Sequence, residues 1–314
     1  MASGRYNLCH KNTAENATAV ADANLKSGVR FCRPAPAKVN LFLHIKGRRA
    51  DGYHELESLV VFTDICDRIE VEEIEGLELV ISGPFANGLP RDDGNLIVQA
   101  ARLLALATGI TPRARIHLWK ALPVAAGIGG GSADAAATLL ALRDLWQISM
   151  DDEVLHELAT QLGADVPVCL AQSPRLIGGV GNDLKAVTQL PAFALLLANP
   201  RQPLSSAQVF RSFSTPFTIR PQWDRCTAQD FFSRLVECQN DLETPACKLT
   251  PVVSEVLAEL DDLPGRRLVR MSGAGATCFA LFDDLATARS AAQILLARQQ
   301  NWWIQASLIR EARS

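Results

Sequence analysis

Pro123, Val124, Ala125, Ala126, Gly127, Ile128, Gly129, Gly130, Gly131, Ser132 and Ala133 form the stretch of this chain best suited to chemistry. Four glycines and a serine run directly into Leu139, Leu140, Leu142 and Leu145, which are spaced for a helix. Glycine lacks a Cβ, so backbone N–H groups there can turn toward a ligand, and the free N–H groups opening a helix add the positive end of its dipole. The ligand that suits such a place is an anion, above all a phosphate. A flexible turn that binds nothing is the competing account, but four glycines so close together cost chain entropy that an ordinary loop has no reason to bear.

The pattern is neither of the two common phosphate loops. A Walker loop needs Gly-x-x-x-x-Gly-Lys-Ser/Thr, and no lysine lies between Lys120 and Lys185. A dinucleotide fingerprint starting at Gly127 needs a third glycine where Ser132 stands, and one starting at Gly129 needs it at Asp134.

Two charged residues sit where neighbouring elements would hold them firmly. From Ala37 to Ile45 the sequence alternates, with Ala37, Val39, Leu41, Leu43 and Ile45 on one face and Lys38, Asn40, Phe42 and His44 on the other. This predicts a strand that places Lys38 and Asn40 side by side, away from the aliphatic core. Asp165 follows Leu155, Leu158, Ala159 and Leu162, the apolar stripe of a helix that Ser149 and Asp152 would cap and Gly163 would end. Pro167 pushes Val166 toward an extended conformation, which puts Asp165 at a helix-to-strand junction.

Around these, the patterning predicts strands near Glu57–Thr63, Arg68–Glu73 and Ala114–Trp119, and a helix from about Asn95 to Ala107. Beyond Lys185 come a strand at Phe193–Ala198, helices near Ala207 and Val252–Leu260, and strands at Arg267–Met271 and Thr277–Phe282. A helix at Leu285–Arg298 and a strand at Trp303–Ile309 follow. Strand, helix, two strands, helix, strand fits a ferredoxin-like layer. The expected organisation is therefore α+β, with a tail over 1–30, a first domain over 31–186 and a second over 187–314.

The 314 residues are 48% hydrophobic and 21% charged, with a net charge of −3. That is globular material, and it argues against a general nucleic-acid binder. The strongest apolar run, Phe193–Ala198, is too short to cross a bilayer, and the first 30 residues lack a signal-peptide core. Eight scattered cysteines without a C-x-x-C pair read as reduced cytoplasmic thiols serving mostly as core filler.

Pro-x-x-x-Gly-Ile-Gly-Gly-Gly-Ser-Ala resembles the ATP loop of the galactokinase, homoserine kinase, mevalonate kinase and phosphomevalonate kinase (GHMP) superfamily. Pro36-Ala37-Lys38-Val39-Asn40-Leu41, Ala50-Asp51-Gly52-Tyr53-His54, Leu162-Gly163-Ala164-Asp165-Val166-Pro167 and Ser272-Gly273-Ala274-Gly275-Ala276 narrow the resemblance to its 4-diphosphocytidyl-2-C-methyl-D-erythritol kinase family, over roughly residues 33–310.

The resemblance implies a GHMP kinase fold, with an N-terminal domain like ribosomal protein S5 and a ferredoxin-like C-terminal domain. It implies a cytoplasmic enzyme of non-mevalonate isoprenoid synthesis, monomer or homodimer, using ATP and Mg²⁺ on a small cytidyl substrate. Residues 123–133 would bind ATP, with Gly273 and Gly275 supporting the loop. Lys38 and Asp165 would act at the reacting hydroxyl. Asn40, Tyr53, His54 and Phe210 would bind the substrate, with Tyr53, His54 and Phe210 around the cytosine. Phosphoryl transfer needs an aligned nucleophile, a proton acceptor and positive charge near the moving oxygens, which an aspartate and a lysine can supply. Ala133 stands where relatives carry a second serine, leaving Ser132 or water to serve. The alternatives are another GHMP kinase, of mevalonate or homoserine type, and a phosphate-binding module without catalysis.

Overall fold

The computed structural model describes residues 30–50, 54–181, 183–214, 217, 223 and 229–310. The expected tail and Tyr53 lie outside the described residues, although Arg30 already belongs to a strand.

A long antiparallel hairpin, β1 (Arg30–Arg48) and β2 (His54–Glu72), is the spine of the first sheet. The other edge of β2 is shared. Its second half pairs with β4 (Ala114–Trp119) and its first half with β5 (Arg175–Gly178). β3 (Leu77–Ser82) lies parallel to β4, and β6 (Asp183–Ala186) antiparallel to β5. The two strands expected at Glu57–Thr63 and Arg68–Glu73 are thus one strand. The polar stretch between them is absorbed by a register shift between Pro36 and Lys38 rather than by a turn.

Helices α1 (Leu96–Thr108), α2 (Gly130–Leu145), α3 (Asp152–Leu162) and α4 (Val166–Ala171) complete this half. α1 begins where Asn95 Oδ1 accepts from Ile97 N at 3.0 Å and ends on Gly109 in the left-handed conformation. α2 opens on Ala133, Ala135, Ala136 and Ala137, all buried; side chains this small let the helix lie close against β1. The Ser149–Asp152 capping pair does not form, because the helix starts at Asp152 and Asp151 takes the cap position without a side-chain bond. Pro167 falls in the first turn of α4, where a missing N–H costs nothing. Asp165 therefore stands at a helix-to-helix junction, not a helix-to-strand one.

The second sheet has strand order β10-β7-β9-β8, all antiparallel: β7 (Ala194–Asn199), β8 (Leu268–Met271), β9 (Cys278–Phe282) and β10 (Trp303–Leu308). With α9 (Leu285–Arg298) after β9, this is the ferredoxin-like order anticipated from the pattern. α5 (Ser206–Ser212), α6 (Phe231–Glu237), α7 (Glu243–Leu249) and α8 (Val252–Asp261) fill the excursion between β7 and β8.

The two sheets share a core in which Ala37, Val39, Leu41 and Phe42 of β1 pack with Leu195, Leu197, Phe279, Leu281 and Trp303. Each valine, leucine or phenylalanine among them, fully buried, stabilises the fold by roughly 1.5–3 kcal/mol. β1 is consequently buried on both faces from Ala35 to Ile45, and Lys38 and Asn40 lie inside the protein. A register shift between Asn40 and Phe42 also breaks the expected alternation. Phe42 joins the shared core, while Leu43 and Ile45 pack into the second half with Leu196 and Ala198. The cysteines are core filler only in part. Of those described, Cys169 and Cys278 are buried and Cys32 is exposed.

Candidate active site

Lys38 lies between two irregularities of β1, at Pro36/Lys38 and Asn40/Phe42. Bulges re-aim side chains, and here the result is a lysine directed under the glycine loop. A Cβ on Gly129 would meet Lys38 Cε at 3.2 Å and Cβ at 3.3 Å. Lys38 Nζ then reaches Asp165 Oδ2 at 2.9 Å. The lysine side chain is 5% exposed and the aspartate 46%, so the pair has a protected cation and an open carboxylate.

The loop is fixed through its carbonyls. Lys38 N donates to Ile128 O at 2.9 Å, Thr277 N to Ala126 O at 3.1 Å, and Ser272 Oγ to Gly127 O at 3.1 Å. Positive φ at Ala125, Gly127 and Gly129 turns the chain as it passes these anchors. Pro123, Ala126 and Ile128 are buried beneath, while Val124 and Ala125 face outward. Gly129 is the N-cap of α2, and the first helical bond runs from Ala133 N to Gly129 O at 2.8 Å. The N–H groups of Gly130, Gly131 and Ser132 therefore have no acceptor within the helix. An end of this kind, with Lys38 alongside, can hold an anion such as a phosphate.

Gly273 and Gly275 lie against the back of the loop, both at positive φ. A Cβ on Gly273 would stand 3.0 Å from Gly127 O. Two residues that sequence reasoning missed hold this turn. Asn240 donates to Met271 O at 2.8 Å and Gly273 O at 2.7 Å, and Glu243 accepts from Met271 N at 2.9 Å. Neither lies in a motif, and their part is set by a contact across the fold.

Asn40 sits next to the pair, donating to Ser58 Oγ at 2.7 Å. Its Oδ1 is buried and accepts no hydrogen bond from a described residue, where buried polar groups are ordinarily paired. His54 opens β2 and stacks on Phe210 of α5, with ring centroids 5.5 Å apart and planes 29° apart. Phe213, also missed, meets the His54 ring edge-on at 6.1 Å. A base inserted between His54 and Phe210 would need the rings about 7 Å apart, two aromatic contacts deep. Burial, and then the charge of Arg48, lowers the His54 pKa from 6.5, so the ring is neutral at pH 7.

The anion cradle and the lysine–carboxylate pair lie side by side, with the buried Asn40 amide two residues along β1 from Lys38, whereas the His54 ring, with Phe210 and Phe213 against it, lies toward the turn end of the hairpin, where His54 pairs with Arg48. Among the described residues there is no group of three or more His, Cys, Asp or Glu suited to holding a metal. No described helix is long and apolar enough to cross a membrane.

Comparison with known proteins supplies the chemistry's context. Residues 95–173 match the family model "GHMP kinases N terminal domain", and residues 231–300 match "GHMP kinases C terminal". A 4-diphosphocytidyl-2-C-methyl-D-erythritol kinase of Granulibacter bethesdensis is 47% identical over 271 residues, 84% of this chain and 89% of that one. The protein of the same name from Paramagnetospirillum magneticum is 48% identical over 279 residues, covering 87% and 96%. A crystal structure of a 4-(cytidine 5'-diphospho)-2C-methyl-D-erythritol kinase superposes with TM-score 0.73 at 36% identity, covering 89% of this chain and 99% of that one. The homoserine kinase of Cytophaga hutchinsonii, at 18% identity and TM-score 0.68 over 93% and 98%, shares the fold.

Proposed function

The chain belongs to the 4-diphosphocytidyl-2-C-methyl-D-erythritol kinase family of GHMP kinases, and on that premise we propose that it transfers the γ-phosphoryl of ATP to the 2-hydroxyl of 4-diphosphocytidyl-2-C-methyl-D-erythritol. The products are the 2-phosphate and ADP, and the step belongs to non-mevalonate isoprenoid synthesis. The observation that carries the reading is the 2.9 Å contact between Lys38 and Asp165 directly under Gly129.

In this mechanism the loop from Pro123 to Ala133, braced by Gly273 and Gly275, holds the β- and γ-phosphates. Its free N–H groups at Gly130, Gly131 and Ser132 point where charge accumulates. The open carboxylate of Asp165 takes the proton of the acceptor hydroxyl as the new P–O bond forms. Lys38, shielded and adjacent, favours negative charge on the attacking oxygen and the transferring group. Asn40 hydrogen-bonds the acceptor, and Tyr53, His54 and Phe210 hold its cytosine. Mg²⁺, when bound, neutralises phosphate charge.

The same proposal divides the chain into 31–186, which binds ATP and carries the acting pair, and 187–314, which braces the loop. A cytoplasmic location and a monomeric or homodimeric state complete it. ADP release measured across acceptors tests it: rapid turnover with the cytidyl substrate is expected. Brisk turnover with mevalonate or homoserine, or with none of the acceptors, would refute it.

A further inference from the structure

Beneath the phosphate loop lies a charged cluster that the reaction above does not use. Lys120, just past β4, places Nζ 2.6 Å from Asp67 Oδ2 and 2.5 Å from Asp134 Oδ2. All three are buried, Asp67 completely and the others at 3% exposure. Asp67 Oδ1 also accepts Ala121 N at 2.6 Å and Leu122 N at 2.8 Å, so the cluster grips the chain as it enters the loop. On the other side, Asp134 lies in the early turns of α2. The Lys120 ammonium stands 3.2 Å from the point a Cβ on Gly130 would occupy, one layer behind the N–H groups offered to phosphate.

The bonding is unequal. Asp67 is satisfied at both oxygens, whereas Asp134 Oδ1 is buried and accepts nothing from a described residue. Two carboxylates and one ammonium sum to −1, and an uncompensated buried charge is costly. A proton on the less satisfied carboxylate removes it. Burial pushes Asp134 up to about 8 despite the pull of Lys120.

Its surroundings are otherwise quiet. Lys120 faces it from the turn after β4 and Asp67 from β2. The Cys169 thiol of α4 stays neutral because burial and the Asp165 charge both raise its pKa, with Lys38 of β1 opposing. The one ionisable side chain of α1, Arg102, pairs outward with Asp93 at 3.0 Å. α3 meets α2 at its far end through Arg143–Asp152 at 3.0 Å.

We propose that Lys120 is a positioning residue for the nucleotide phosphates, and that Asp134 stands protonated beneath them, drawing in that proton on binding wherever the free protein has lost it, so that no net negative charge lies there. The inference rests on the reading that residues 123–133 bind ATP. An anion arriving above the cluster favours protonated Asp134, so binding draws in a proton, and affinity falls as pH rises and the free carboxylate holds its charge.

Calorimetric titration of Mg·ATP into the full chain, without acceptor, from pH 6.5 to 9.5 and in buffers of different ionisation enthalpy, tests this. The wild type should take up a proton near pH 8 and lose about tenfold in affinity across the range, the effect of one charge at this depth. Asp134→Asn keeps an acceptor for Lys120 but not the charge. It should bind as tightly as the wild type does at pH 6.5 and lose the uptake; the ligand's own titration is common to both proteins and cancels. In steady state, Lys120→Met combined with Asp134→Asn should raise the KM for ATP about tenfold and leave the KM for the cytidyl acceptor unmoved. If Asp134→Asn fails to fold, Asp134→Ser, which also removes the titrating carboxyl, supplies the same comparison with the wild type. Equal proton uptake and equal pH dependence in wild type and Asp134→Asn, or none in the wild type, would overturn the proposal. If Gly129→Val still weakens ATP in that case, the ATP-loop reading stands and only this inference fails.

Discussion

A Cβ on Gly127 would stand 2.5 Å from the carbonyl oxygen of Gly275, so the glycine loop and the turn joining β8 to β9 meet backbone on backbone. The contact joins the two sheets at the loop itself. It explains why glycines recur in both segments: each removes the side chain that would hold the other away.

Gly127→Ala should therefore cost far more than an ordinary loop substitution. The residue has φ +73°, and its new Cβ would also lie 2.7 Å from Ser272 O. Left-handed strain and overpacking each cost on the order of 1–3 kcal/mol. A melting temperature lowered by several degrees, together with a raised KM for ATP, is the expected result of a thermal scan and steady-state assay. An unchanged melting temperature would mean the loop can leave the turn without penalty.

Asp165→Asn should retain the fold, because the side chain is 46% exposed and caps no helix through its own oxygens. Its kcat should drop by about 10²–10⁴-fold with both KM values little changed, as loss of a general base requires. Lys38→Met should likewise act mainly on kcat. A loss confined to the KM for ATP would make Lys38 a nucleotide contact instead.

Gly129→Val differs from both in reporting on the loop and the pair together. Its side chain would have to enter where Lys38 Cβ and Cε already lie at 3.2–3.3 Å, from a backbone at φ +64°. ATP affinity measured by calorimetry should fall by at least tenfold, since the loop shifts and Lys38 is pushed off Asp165. The KM for the cytidyl acceptor should move much less.

The glycine loop and the order of the second sheet were legible because each has a local signature, a run of residues without side chains and a chain of alternating periods. The pairing of Lys38 with Asp165 was legible only through family resemblance, since nothing in either segment specifies the other. Three things were not legible. The burial of Lys38 and Asn40 comes from a second sheet packing on β1, which alternation within one strand does not reveal. The single long β2 depends on register shifts that accommodate extra residues. The roles of Asn240, Glu243, Asp67 and Lys120 arise from contacts between distant segments, and each residue alone reads as an ordinary polar or charged position.

Specificity for the cytosine is the most demanding expectation. His54 is held neutral at pH 7 by burial and by Arg48, and its ring lies against Phe210 at 5.5 Å. A neutral imidazole offers one donor and one acceptor to a base edge, whereas stacking alone accepts any base. Because the folded pKa is lowered from 6.5, the neutral form persists throughout the range above 6.5. The KM for the cytidyl acceptor should therefore be flat there, rising only at lower pH as the ring gains a proton. A uridyl analogue keeps the stacking but inverts the donor and acceptor pattern, leaving buried polar groups unpaired. Sites of that kind discriminate by about 10⁴ or more in kcat/KM. His54→Leu should erase most of that preference while lowering activity on the cytidyl substrate, and Phe210→Ala should weaken both acceptors in parallel. Equal rates on cytidyl and uridyl acceptors with the wild-type enzyme would show that the His54–Phe210 cluster does not read the base.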